Sequence, residues 1–247
     1  MKIEVLYHDI ADLYGDIGNI DYLKESDSNI EVIYTPINEV PYFVGHEVNM
    51  VYMGAMKERF VPLVLEKLRP YVNRLKEMIE NDVVFLITGN AFELFGNKID
   101  QQQGLGIFDY YCITDMSYHH NSCFLGKYDG MDMVGFKSQF SNCYNNKYPF
   151  MEVIKGHGFG DDANSEGVHY HNFFGTYLIG PICVTNPSFA QQILRMIGSE
   201  KQPAFWDDAL EAHNNRVEEF YRKNIGESIY FDNESTFKKL IKKILKK

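Results

Sequence analysis

The chain has 247 residues, 45% apolar and 23% charged, which suits one large α/β unit or two small ones. Its net charge of −10 excludes a general nucleic-acid binder, which needs a basic face to displace counterions from phosphate. No apolar run reaches the roughly 18 residues that a membrane span needs, and the first residues enter a strand pattern without a secretory leader, so a cytoplasmic protein is expected. Cys112, Cys123, Cys143 and Cys183 are scattered and form no CxxC pair, a pattern that predicts reduced thiols over a disulfide framework or a zinc site.

Strand and helix patterns alternate through the first half. Residues 3–8, 30–36 and 48–53 read as strands, and residues 17–25 as a short helix. Residues 59–80 read as one long helix, with Phe60, Val64, Leu68, Leu75 and Ile79 close to helical spacing. Residues 83–87 are apolar on both faces, as in the centre of a parallel sheet, and residues 91–96 start the next helix. This order predicts a doubly wound sheet with ligands at the carboxyl ends of its strands. Residues 104–160, rich in Gly, Tyr, Asn and Asp, read as short strands and loops, and residues 188–198 and 204–224 as helices.

Residues 235–247 place Phe237, Leu240, Ile241, Ile244 and Leu245 on one helical face, with six lysines on the rest. Those lysines carry +6 of a total of −10, so the remainder carries −16. The expectation is a helix docked on an acidic body, with a membrane-surface or partner-docking helix as the alternative. Residues 1–200 are expected to form the main domain and 201–247 a C-terminal helical extension.

Around residue 89 an apolar strand meets a small-residue turn, Thr88-Gly89-Asn90, and then a helix start. That is the framework of a nucleophile elbow, a turn that thrusts one side chain out of a sheet edge towards substrate. The residue at the tip is Gly89, which has no side chain to present.

Several segments resemble, in order, class I glutamine amidotransferases of the cobyric acid synthase type, and among them the small glutaminase subunits of bacterial lipid II isoglutaminyl synthases. They are Asp12-Leu13-Tyr14-Gly15-Asp16-Ile17-Gly18-Asn19-Ile20, the elbow through Gly96, Gly104-Leu105-Gly106-Ile107-Phe108-Asp109, Gly135-Phe136, and the run from Glu166 to Pro181 that contains Gly175-Thr176-Tyr177-Leu178-Ile179-Gly180-Pro181. The resemblance implies an α/β, flavodoxin-like three-layer fold with a mostly parallel sheet of about seven strands. It also implies a chemistry in which a cysteine thiolate attacks the glutamine amide, a histidine moves the proton and a Gly-rich loop holds the oxyanion.

This sequence departs from the family at each of those positions. Gly89 stands at the cysteine position and Ile179 at the histidine position. The oxyanion loop reads Met53-Gly54-Ala55, and no arginine occurs between Arg74 and Arg195, the span where the family binds the glutamine carboxylate. No intact catalytic residue is therefore expected, only a vestigial pocket of Met53, Gly54, Ala55, Thr88, Gly89, Asn90 and Glu93. Glu58 and Arg59 read as a solvated helix start, and Asp16 and Asn19 as local Asx-type braces of the first turn.

Cys112, Cys123 and Cys143 lie near His119, His120 and His157 in sequence, but a catalytic pair needs nearness in space, so packed residues without catalytic duty are expected. The pairs His119-His120 and His169-x-His171 lack i, i+4 helical spacing and a third ligand, so neither a metal nor a cofactor is expected. The reading is a catalytically silent subunit that binds a Mur-ligase-like enzyme of cell-wall synthesis. The alternatives are an active amidotransferase or amidase with a relocated nucleophile, and a small-ligand sensor.

Overall fold

Strand β1 (Lys2–Leu6) leads through α1 (Gly18–Ser26) to β2 (Glu31–Thr35), and then come β3 (Met50–Met53), α2 (Val61–Leu68), α3 (Val72–Glu80) and β4 (Val84–Thr88). A run of strands follows: β5 (Lys98–Ile99), β6 (Gln102–Gln103), β7 (Tyr111–Thr114), β8 (Tyr118–Tyr128), β9 (Met131–Gln139) and β10 (Ser141–Tyr144). It continues with β11 (Pro149–Lys155), β12 (Ser165–Tyr170), β13 (Phe173–Thr176) and β14 (Leu178–Ile179). Helices α4 (Ile182–Thr185), α5 (Pro187–Met196) and α6 (Trp206–Arg222) precede β15 (Ile229–Asp232). The structure, a computed structural model, describes residues 1–161 and 163–222 and the backbone of 229–232. The basic helix expected over 235–247 lies outside the described residues.

The principal sheet has 11 strands in the order β14-β9-β8-β11-β12-β13-β4-β3-β1-β2, with β15 also pairing β8. The fold is mixed α/β, and the expectation of a mostly parallel sheet of about seven strands is corrected. Only the four pairings among β13, β4, β3, β1 and β2 are parallel. The other six are antiparallel. Parallel neighbours need long crossovers, whereas hairpin turns force antiparallel pairing. After β4 the chain turns through hairpins: Asp129 and Gly130 between β8 and β9 both have positive φ, 47° and 76°, as a two-residue primed turn requires.

In the parallel half, successive residues face opposite layers. Phe85 and Ile87 join Leu65, Leu68, Leu75 and Ile79 of α2 and α3 on one side. Val84 and Leu86 join Ile20 and Leu23 of α1 and Phe189 and Ile193 of α5 on the other. The helix expected over 59–80 is broken, because Pro70 has no N–H to donate and a 3-10 turn, Arg69–Tyr71, separates α2 from α3. Helix α6 lays Phe220 on Leu125 and Val134 of the β8–β9 hairpin. Among the described residues no helix is long and apolar enough to cross a membrane.

A second sheet, in the order β10-β7-β5-β6, corrects the cysteine expectation. Cys112 and Cys143 face each other across β7 and β10 and form a disulfide, while Cys123 and Cys183 are free. Strand pairing set this partnership across 31 residues of chain, which spacing alone does not reveal. The protein unfolded without reductant is expected to titrate with two thiols, and with four after reduction; four at the outset would remove the bond.

Candidate functional site

The elbow forms where β4 ends. Thr88 is extended (φ −108°), and Gly89 turns into the left-handed region at φ +59°, which favours glycine. A Cβ placed on Gly89 would lie 2.4 Å from Ala55 Cβ and 3.3 Å from Ile179 Cγ2. Folding thus brings residues 55, 89 and 179 together, and two side chains already fill the space a third would use. Neither glycine nor isoleucine carries a group that can attack carbon or move a proton.

The loop after β3 is held against this turn. Asn90 accepts a hydrogen bond from the Met56 amide (3.0 Å) and donates one to the Met56 carbonyl (2.8 Å). Met53 is buried at the end of β3. A Cβ on Gly54 would meet the Ala11 carbonyl oxygen at 2.7 Å, so the loop passes here only as glycine. The Ala55 amide is also engaged, by Asp16.

Asp16 joins the three segments. Its carboxylate accepts the Thr88 hydroxyl (2.7 Å) and the Gly180 amide (2.6 Å), and its carbonyl accepts the Tyr52 hydroxyl (2.7 Å). The expected local Asx brace is therefore corrected to a long-range tie. Asn19 likewise accepts the Cys183 amide (2.9 Å), although its Nδ2 does donate to the nearby Asp16 carbonyl (2.8 Å). Burial pushes the Asp16 carboxyl up to about 6, against the opposing pull of its donors.

Glu93 is 2% exposed and accepts the Tyr177 hydroxyl at 2.9 Å. Burial pushes its carboxyl up to about 8. It borders a cavity of about 400 Å³ that Asn90, Asp100, Ser141 and Glu58 also line. Glu58 opens the 3-10 turn Glu58–Phe60 and is half-buried, and Arg59 lies over the Phe60 ring.

Sequence reasoning missed Lys137, which is fully buried on β9. Its Nζ donates to the carbonyls of His157 (3.0 Å) and Gly158 (2.7 Å) and lies 3.6 Å from Glu166. Glu166 in turn accepts the Thr176 hydroxyl (2.7 Å) and the Tyr177 amide (2.8 Å), so the pair fixes the strand leading to Ile179. Burial pulls Lys137 down to about 8. Lys137 shares a strand face with buried Met133 and Gln139, an alternation visible only once their burial is known.

The rings of His120 and His157 meet with centroids 4.1 Å apart, and burial pulls them down to about 3 and 4. Among the described residues no group of three or more His, Cys, Asp or Glu is placed to hold a metal.

Two outcomes test this geometry. Gly89→Ala is expected to lose about 1–3 kcal/mol in urea unfolding, because the methyl meets Ala55 and the backbone is strained. An unchanged midpoint would mean the tip has room. Folded Glu93 keeps a proton that the unfolded chain has already lost, so stability falls as pH rises towards 8. His120, His157 and His169, all desolvated, act in the opposite sense up to about pH 7.5, and Lys137 acts mainly above that, so the Glu93 contribution is read as a difference between two proteins that share these groups. Between pH 6.5 and 7.5 the wild type should lose about 1 kcal/mol relative to Glu93→Gln, read as a change of about 2–4 °C in the Tm difference between the two proteins. Parallel curves for the two proteins would refute the assignment.

No protein-family model matches the chain. The chain is 29% identical over 226 residues to the lipid II isoglutaminyl synthase (glutamine-hydrolyzing) subunit GatD of Staphylococcus aureus N315, covering 86% of this chain and 93% of the relative. It is 24% identical over 231 residues to the GatD of Streptococcus pneumoniae R6, covering 85% and 87%. Among solved structures, PurLQS from Thermotoga maritima superposes with a TM-score of 0.51 at 11% identity, covering 87% of this chain and 98% of the other. A glutamine amidotransferase crystal structure superposes at 0.53 with 10% identity, covering 79% and 98%. The structural likenesses bear on the fold alone. The chain is thus similar in sequence to the GatD subunits and similar in fold to glutamine amidotransferases.

Proposed function

We propose that the chain is a glutamine amidotransferase-like subunit that has lost glutamine hydrolysis and acts by binding a Mur-ligase-like enzyme in the cytoplasm. The observation that carries this reading is the filled space at Gly89, where Ala55 and Ile179 stand within 3.3 Å of the position a Cβ would take. Covalent amide hydrolysis needs a nucleophile beside a base, and both positions hold groups that can do neither. The engaged amides of Ala55 and Met56 add support, since an oxyanion needs free donors. A protein partner is supported by the relatives, which are subunits of a lipid II isoglutaminyl synthase. A fold that has lost its reactive groups can keep its docking surface.

A second reading, hydrolysis by a relocated thiol, has one observation in its favour. Cys123 is free, half-buried and lines a cavity that also reaches Ile179. Cys183 is fully buried, and burial pushes its thiol up to about 12. Incubated with glutamine, alone or with a co-purified Mur-ligase-like protein, the chain should release ammonia no faster than a no-protein blank. Release above the blank would overturn the first reading. Labelling of Cys123 by a thiol-reactive glutamine analogue, accompanied by such release, would establish the second.

A further inference from the structure

Strand β1 lies between β3 and β2 in the sheet, and both neighbours run parallel to it. Helix α1 carries the chain from β1 to β2 over one face, whereas α2 and α3 carry it from β3 to β4 over the other. The two connections leave adjacent strand ends in opposite directions, and loops that part in this way leave a crevice outside the carboxyl ends of the strands. Here the crevice is a cavity of about 410 Å³ that shares no lining residue with the one beside Glu93. Every residue lining it comes from the loop after β1 or from the loop after β3.

The two walls differ in charge. The β1 loop supplies Asp9 and Asp12, and the β3 loop supplies Lys57 and Arg59, all four exposed. Asp9 accepts the Ile37 amide and Asp12 the Ile17 amide, each at 3.0 Å through one oxygen. Those bonds fix both carboxylates, and among the described residues their second oxygens accept no hydrogen bond. Arg59 is held over the Phe60 ring, 4.9 Å from its centroid. Among the described residues neither Lys57 nor Arg59 makes an ion pair. The loops are joined at their base, where the Leu13 amide donates to the Ala55 carbonyl (3.0 Å). Tyr7 and Tyr14, which bracket the β1 loop, hold φ at 54° and 64°, a left-handed conformation that bulky residues rarely adopt and that recurs at ligand clamps. His8, also in the lining, has a buried Nδ1 without a hydrogen-bond partner, a state that folded proteins rarely leave uncompensated.

We propose that this crevice binds a small zwitterion, its ammonium received by Asp9 and Asp12 and its carboxylate by Lys57 and Arg59. A ligand with a single charge satisfies one wall and is repelled by the other, whereas a zwitterion meets both. Arginine suits the carboxylate end, because its planar fork donates to two oxygens at once. The site stands apart from the elbow and operates whether or not glutamine hydrolysis has been lost.

Amide NMR shifts of the full-length chain, titrated with glycine, β-alanine, γ-aminobutyrate and 5-aminovalerate, test the site, since the series widens the gap between the two charges. The best-fitting member should shift the amides of residues 8–13 and 57–60 and leave those around Gly89 in place. It should bind about tenfold more tightly than propylamine or propionate, each of which carries only one of the two charges. Lys57→Gln with Arg59→Gln should erase its advantage over propylamine. Asp9→Asn with Asp12→Asn, which keeps an acceptor for each backbone amide, should erase its advantage over propionate. The wild-type comparison decides the matter even where a variant fails to fold. Zwitterions that bind no better than the single-charge controls, or that shift the elbow amides instead, would overturn the proposal.

Discussion

The buried carboxylate of Asp16 ties together three segments that arrive from distant parts of the chain. It holds the end of β4 through Thr88, the loop after β3 through the Ala55 amide, and the turn after β14 through the Gly180 amide. Burying a carboxylate costs several kcal/mol, and hydrogen bonds to a charged group return about 1.5–3 kcal/mol each, so only a full set of donors keeps the group in place. The convergence of Ala55, Gly89 and Ile179 depends on this tie. These braces lie behind the tip of the turn and hold its shape without using any group at Gly89 itself.

A second polar layer supports the same region. Lys137 and Glu166 are both withdrawn from water, and Glu166 uses its remaining capacity on Thr176 and the Tyr177 amide. Tyr177 then reaches Glu93, and its ring lies against Phe92 and 5.1 Å from the Lys137 ammonium. A buried pair of this kind adds little net stability over apolar side chains, but losing one partner strands a charge. Its effect is to fix where the strand into Ile179 runs. The raised carboxyls of Asp16 and Glu93 are the electrostatic consequence of desolvation in such a layer.

Much of the architecture was legible in the residues. Local patterns placed β1 to β4, α1, α5 and α6, since periodicity and turn chemistry act within a few residues. The positions of Gly89 and Ile179 in one site also followed from ordered motifs. The antiparallel half was misread, although Asp129-Gly130 is a hairpin signal in the sequence itself. Pro70 was a similar missed punctuation mark in what read as one helix.

By itself, the sequence determined the alternation of elements, the likeness to the GatD subunits, and that residues 89 and 179 are glycine and isoleucine. Only the tertiary structure decided that Cys112 bonds Cys143, that Asp16 braces elements 164 residues away, and that Ala55 fills the space at Gly89. It also decided that Lys137, whose neighbours in sequence are ordinary, is buried against Glu166. The physical reason is the same in each case. These contacts join residues far apart in the chain, and their energies depend on burial and distance, which neither composition nor spacing encodes.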